Sequence, residues 1–315
     1  MRKAMTFKKR LLAVAAVSVA LALPMSASAH RGWLLPAFTT LSGDNAWVTV
    51  DAAISNELFY PDHRAMRPDG IQVLGPDGAA DKIQNASTGQ YRSTFDVQLT
   101  KPGTYKIFTA SNSVMASWTE NGEVKRFRGS AEDFAKQVPA GAADLKTIKM
   151  ASRNETFVTR DKPSTGALAP TGKGLELVPV TNPTDVVATE PATFKFVLDG
   201  KPAADLEVTF IPGGARWRAT PGEIKVKTGA DGAVKFTLPE AGMYWVNATV
   251  RSGETGRGPG GGEGGPPRPA GAQGGPGGAP GGMPGMGGAP QGPATPLAGN
   301  GMSASYTAVI EAQRP

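Results

Sequence analysis

Between Trp47 and Ile54 the side chains alternate, with Val48, Val50, Ala52 and Ile54 on one face and Trp47, Thr49, Asp51 and Ala53 on the other. A repeat of two belongs to a strand laid against a core, and it recurs along most of the chain. Ile71 to Leu74 runs into Gly75-Pro76-Asp77-Gly78. Tyr91 to Leu99 runs into Lys101-Pro102-Gly103, after which Thr104 to Ala110 alternates again. Further on, Phe194, Phe196 and Leu198 precede Asp199-Gly200, and Leu206, Val208 and Phe210 follow it. Ile224 and Val226, then Val234, Phe236 and Leu238 beyond Asp231-Gly232, and Tyr244 to Val250 complete the set. Short strands at roughly ten-residue spacing, separated by turn pairs, predict an all-β protein of two β-sandwich, immunoglobulin-like domains. Asn121-Gly122 predicts a hairpin joining Ser117 to Glu120 with Glu123 to Phe127. Leu145 to Met150 and Glu155 to Thr159 read as two further strands. One short helix is expected after Ser130, an N-cap residue with Asp133 three positions on and Phe134 and Val138 sharing a face.

Glycine and proline mark what lies outside these domains. Of 41 glycines, 21 fall between Gly253 and Gly301, together with 10 of the 27 prolines. Such a composition buries no core, yet Ser303 to Glu311 resumes the strand pattern. Residues 252–302 therefore read as a disordered Gly/Pro-rich loop inserted before the last strand, and the closure cost of a long loop grows only logarithmically. At the other end, Arg2, Lys3, Lys8, Lys9 and Arg10 precede the apolar run Leu11 to Leu23 and the small residues Ala27-Ser28-Ala29. This is the pattern of a secretory signal peptide over residues 1–29, cleaved after Ala29. The mature chain is expected to be periplasmic or secreted, with no transmembrane segment. Cleavage leaves 28 of the 33 basic residues against 27 acidic ones, so the formal charge of +6 falls to +1 and gives no case for nucleic acid. The chain has no cysteine, and each domain must be held by its core alone. A polar stretch, Asp161 to Lys173, reads as a linker or long surface loop between a domain over residues 30–173 and one over residues 174–315.

Histidine is the scarce residue. There are two, His30 and His63, and the expected cleavage makes His30 the first residue of the mature chain. An N-terminal histidine offers an α-amine of pKa about 7.7 to 8.0 and an imidazole of about 6.5, so both can lose protons near neutrality and chelate one ion. A second imidazole supplies a third nitrogen. This histidine brace suits Ni(II), Co(II) or Cu(II) better than Mg(II) or Ca(II). Asp62 adjoins His63 and is the best-placed carboxylate to ligate or to orient a ring; Asp51 and Glu57 are alternatives. The competing view is a frayed terminus and an incidental loop histidine.

The run His30-Arg31-Gly32-Trp33-Leu34-Leu35-Pro36 resembles the start of the DUF4198 family, exported proteins described as periplasmic components of nickel or cobalt uptake systems. Ile211-Pro212-Gly213-Gly214-Ala215-Arg216-Trp217-Arg218, Pro221-Gly222-Glu223-Ile224 and Ala241-Gly242-Met243-Tyr244-Trp245-Val246-Asn247-Ala248 resemble its C-terminal part. The resemblance implies a histidine at the mature terminus and another after the first long strand, matched by His30 and His63. It also implies a role in metal uptake, delivery or storage, with a membrane metal transporter as partner. In this chain the second histidine stands in Pro-Asp-His-Arg, where many family members have Gly-His-Gly.

Enzyme signatures are sparse: the chain lacks cysteine, Gly-x-Ser-x-Gly, His-Glu-x-x-His and a phosphate loop. Met283 and Met286 offer thioethers to Cu(I), although methionine also fits a low-complexity loop. Arg216, Trp217 and Arg218 read as a strand with a solvated arginine face over a buried tryptophan. Trp33 is expected to anchor the terminus to the core. Two alternatives stand beside the metal-binding reading: a structural or adhesion-type envelope module without metal, and a copper-dependent polysaccharide oxidase.

Overall fold

The structure is a computed structural model that describes residues 30–253 and 296–315. The expected signal peptide, most of the Gly/Pro-rich segment, and Met283 and Met286 lie outside the described residues. In chain order the elements are β1 (Arg31–Pro36), β2 (Thr40–Leu41), β3 (Ala46–Ser55), β4 (Arg64–Ala65), β5 (Gln72–Leu74), β6 (Ala80–Asp81), β7 (Gln84–Thr88), β8 (Ser93–Leu99), β9 (Gly103–Glu120) and β10 (Glu123–Gly129). Then come α1 (Ala131–Gln137), β11 (Ala143–Arg160), β12 (Leu175–Pro179), β13 (Pro191–Leu198), β14 (Lys201–Pro202), β15 (Glu207–Pro212), β16 (Ile224–Lys227), β17 (Ala233–Thr237), β18 (Gly242–Gly253) and β19 (Gly301–Ala312).

Three sheets build two sandwiches. A first sheet runs β1-β3-β8-β7, with β4 extending it beside β3, and another runs β12-β13-β14, with β17 on β13. Between them lies a ten-stranded sheet, β16-β15-β18-β19-β11-β9-β5-β6, with β10 on β9 and β2 on β11. The first core packs Leu34, Val48, Val50 and Phe95 against Tyr105, Ile107 and Val158. The second packs Phe194, Phe196 and Phe236 against Phe210, Tyr244 and Tyr306. Ring centroids of 4.3 Å for Phe210 and Phe236 and 4.8 Å for Phe194 and Phe236 hold it densely. Each such side chain contributes roughly 1.5 to 3 kcal/mol by burial.

Neighbouring residues of β11 belong to different cores: Phe157 to the second, Val158 to the first. Since successive side chains of a strand point to opposite faces, the two small sheets lie on opposite faces of the large one. Its centre is the parallel pair β11 and β19, in register from Ile148 and Gly301 to Thr156 and Val309. Outward from that pair the order is the same on both sides. Next come β9 and β18, which carry Tyr105 and Tyr244.

Those two tyrosines occupy equivalent corners. Tyr105 Oη donates to the carbonyl of Lys101 at 3.0 Å, and Tyr244 Oη to that of Glu240 at 2.9 Å. A tyrosine bonded to the backbone just upstream is a hallmark of immunoglobulin-like sandwiches. Both end the pattern Leu-x-x-x-Gly-x-Tyr, at Leu99 and Leu238, with Gly103 and Gly242 at φ of 128° and 140°. Gly75-Pro76-Asp77-Gly78-Ala79 and Gly229-Ala230-Asp231-Gly232-Ala233 also fold alike. In each the first glycine donates to the fifth residue's carbonyl at 2.8 Å, and the aspartate accepts from the fifth residue's amide. The two halves are structural repeats.

The helix forms where expected, with Ser130 Oγ accepting from the Asp133 amide. Asn121 and Gly122 take φ of 51° and 79° at the hairpin tip. Other expectations need correction. Thr104 to Ala110 and Ser117 to Glu120 belong to one strand, β9, and Leu145 to Met150 and Glu155 to Thr159 to another, β11. The polar stretches between them pair with each other, Ser111 with Ser152 and Asn112 with Ala151. Asp161 to Lys173, of the two readings offered for it, is a long surface loop, mostly exposed and pinned by Ala167 and Leu168, which are buried in a short 3-10 turn. The ends of the 252–302 insertion are strand, since β18 reaches Gly253 and β19 starts at Gly301.

Candidate functional site

β1 and β4 flank the end of β3 on opposite sides, because Ile54 pairs with Gly32 on one side and with Arg64 on the other. His30 and His63 each precede one of these strands by one residue. Their backbones are thus two strand spacings apart, roughly 10 Å, a gap that two imidazole side chains can close. They do so: the ring centroids are 3.8 Å apart with 23° between the planes, and both residues are exposed.

The segment that carries His63 is tied down along its length. Trp33 Nε1 donates to Ser55 Oγ at 2.7 Å, and Ser55 Oγ donates to the Glu57 carbonyl at 2.6 Å. Leu58 is buried with Trp33, Ile211, Trp245 and Val309 in a third apolar cluster. Phe59 takes a left-handed φ of 64° and meets the Trp33 ring edge-on at 5.9 Å. A Cβ on Gly213 would approach that Phe59 ring to 3.0 Å, so glycine allows the close packing. Trp33 anchors β1 as expected, at 1% exposure.

The carboxylates near the pair are committed elsewhere. Asp62 accepts from the Asn56 amide at 2.8 Å and the Glu57 amide at 3.3 Å, closing the loop rather than facing a ring nitrogen. Glu57 accepts from Arg216 Nε at 2.9 Å, and Asp51 pairs with Arg92 at 2.8 Å. Among the described residues no group of three His, Cys, Asp or Glu side chains is placed to hold a metal ion. The side chains alone present two imidazoles.

The arginine cluster differs from its expected form. Gly214, at φ 75°, starts a 3-10 turn over Ala215–Trp217, which removes the strand alternation and leaves Trp217 85% exposed. Arg216 stacks over the Tyr60 ring at 4.1 Å, and its bond to Glu57 raises an already high guanidinium pKa. Arg218 bonds the Gly213 carbonyl and pairs with Glu240. The Arg216 contacts bind the turn to the segment before His63. The sequence reading missed that link because its partners are more than a hundred residues apart.

Beside His30, on the face of the large sheet that the first small sheet leaves open, lies a groove of about 710 Å³. Its rim is β1, where Arg31 lies over the Trp245 ring at 5.7 Å and Trp245 Nε1 donates to the Gly32 carbonyl at 3.1 Å. Its floor is formed by the outward side chains of β15, β18, β19 and β11. No helix among the described residues is long and apolar enough to cross a membrane.

Among solved structures the chain is similar to the D0-D1 domain of Intimin, at 17% identity over 68% of this chain and 88% of that one, with a TM-score of 0.17. At that score the fold assignment rests on the topology and the corner tyrosines. None of the curated proteins compared matches the chain. The family described as Domain of unknown function (DUF4198) matches residues 27–252, which takes in His30, His63 and both corner tyrosines. With over two thirds of its length covered by that match, the chain belongs to the DUF4198 family.

Proposed function

We propose that the mature protein is exported by cleavage after Ala29 and binds a divalent transition metal ion, nickel, cobalt or copper, at the His30 and His63 pair. The observation that supports this reading is that the two histidines of the chain touch, ring on ring at 3.8 Å, although they precede separate strands, β1 and β4. The donor set fits such an ion. Two imidazoles and a terminal amine are intermediate donors matched to late first-row metals. Stacked rings would turn about their side-chain torsions to aim nitrogens at a common ion, with no change in the strands. Asp62 then holds the backbone that carries His63. A bound ion would supply Lewis acidity or serve as cargo, and a metal transporter in the membrane is the partner that fits cargo.

Calorimetric titration of the mature chain with Ni(II), Co(II) and Cu(II) tests the reading. His30→Ala, His63→Ala and a chain with one extra residue before His30 should each bind the preferred ion roughly a hundredfold more weakly. Equal affinity in wild type and His30→Ala overturns the site. Loss in both histidine variants with full binding in the extended chain overturns the part played by the amine.

A further inference from the structure

The groove beside His30 carries a hydrogen-bonding surface that the metal reading does not use. Thr209, Asn247, Thr307 and Asn154 stand in register across β15, β18, β19 and β11. Thr249 and Ser305 form part of the next row. Their strand neighbours Val208, Val246, Ala248 and Tyr306 face the second core. Hydroxyls and amides therefore pave the floor over a firmly packed base. About 710 Å³ is within the usual range for a small-ligand site.

Asn154 shows what kind of group the groove suits. It is 7% exposed and lines the groove, and its Oδ1 is buried without a hydrogen-bond partner. Gly32 crosses close by, and a Cβ there would lie 3.3 Å from Asn154 Nδ2. That oxygen is closed to solvent, so a ligand meets it only when the amide turns toward the groove, and it then needs a donor, which a bare anion lacks. A hydroxyl both donates and accepts, as do the side chains around it.

The surroundings disfavour a peptide. Floor strands β15, β18, β19 and β11 are all interior, so their backbone groups are spent on one another. The rim strand β1 gives its Gly32 carbonyl to Trp245. Strand addition, the usual way to hold an extended peptide, has little to pair with. Charge separates the remaining options. Lys225 is balanced by Glu207 at 3.7 Å and Glu223 at 4.0 Å. Arg31 stands at one end and exposed Arg251 at the other, six residues along β18 from Trp245, or roughly 20 Å.

We propose that this groove binds an oligosaccharide, acidic sugars in preference to neutral ones. The proposal stands apart from the metal site, and its test is run in chelator so that the two fail separately. Isotope-labelled mature protein is titrated with trigalacturonate, maltotriose and a trialanine peptide, each to about 10 mM, a concentration that reveals weak sites. Trigalacturonate should bind tightest and shift the signals of Thr209, Asn247 and Thr307. The double variant Thr209→Val, Thr249→Val keeps shape and strand propensity while removing two hydroxyls, and should weaken binding roughly tenfold. Arg251→Gln should narrow the gap between acidic and neutral sugar. No shift with either sugar, equal or tighter binding of the peptide or of maltotriose, or unchanged affinity in the double variant overturns it.

Discussion

Trp33 links sequence to site at the scale of single residues. Its indole fills the cluster beneath β1, and its N–H fixes Ser55, which in turn holds the Glu57 carbonyl and the start of the histidine segment. Trp33→Phe keeps an aromatic ring but leaves Ser55 Oγ without its donor, for an expected loss of about 1 to 3 kcal/mol in urea unfolding. On hydrogen bonding alone Ser55→Ala should cost at least as much, because it also takes the donor from the Glu57 carbonyl, and the two changes together should cost less than their sum, because they share the Trp33–Ser55 bond. Their additivity would show that the bond carries no weight. The histidines themselves were legible, being scarce and one of them adjoining a cleavage pattern. Their contact was not, because it depends on two short strands flanking one end of β3. Asp62 was drawn to the histidine by adjacency alone, and sequence spacing does not reveal that its oxygens accept from the amides of Asn56 and Glu57. Trp217 was misread because Gly214 adopts a left-handed conformation that ends the alternation.

Elements divide by how their faces are covered. In the second sandwich β13, β15, β17 and β18 each present one face to the core, so the period of two survived into the sequence and the strands were legible. In β9 the middle, Ala110 to Asn112, is open to water, and in β11 the middle, Ser152 to Asn154, carries polar side chains of which Arg153 and Asn154 are buried, so each strand looks like two. The repeat, too, was present as Leu-x-x-x-Gly-x-Tyr and Gly-x-Asp-Gly-Ala, a signal that searching for internal similarity would have found. The repeated corners are not equal. Tyr105 Oη both donates to the Lys101 carbonyl and accepts from the Lys101 amide at 2.7 Å, whereas Tyr244 Oη donates to the Glu240 carbonyl. Tyr244→Phe should cost about 0.5 to 1.5 kcal/mol and Tyr105→Phe more, since it leaves two backbone groups to find water. Thermal unfolding of the two variants checks the order, and the reverse order would mean that the corner of the first repeat is already hydrated.

Across the whole molecule the two repeats meet through one sheet but along two unlike seams. On one face the seam is apolar, with Trp33 and Leu58 against Ile211, Trp245 and Val309. On the other it is ionic. Arg153 bonds Glu155 at 3.2 Å and Glu176 at 3.0 Å, Lys106 lies 4.0 Å from Glu155, and Tyr306 Oη donates to Glu155 at 2.8 Å, all nearly out of water. Burial and the neighbouring carboxylate push the Tyr306 phenol well above its ordinary range, so it stays a donor at any physiological pH. For Glu176, burial opposes ionisation, but the Thr171 and Gly172 amides, the Thr171 hydroxyl and Arg153 outweigh it and bring the pKa below the ordinary carboxylate value. A carboxylate depressed in the folded state stabilises fully above its unfolded pKa, about 4.3, and that contribution is lost as pH falls through the lower folded value. Wild type should therefore lose stability below about pH 4.5 more steeply than Glu176→Gln, whose side chain cannot titrate. Arg153→Met should cost about 3 to 5 kcal/mol at neutral pH, because it takes away the cation that two buried carboxylates share, and part of that loss should return on acidification as Glu176 takes up a proton. Urea midpoints of the three proteins from neutral pH to about pH 3 distinguish the cases. Parallel curves for wild type and Glu176→Gln would mean that the ionic seam is open to water and contributes nothing to holding the repeats together.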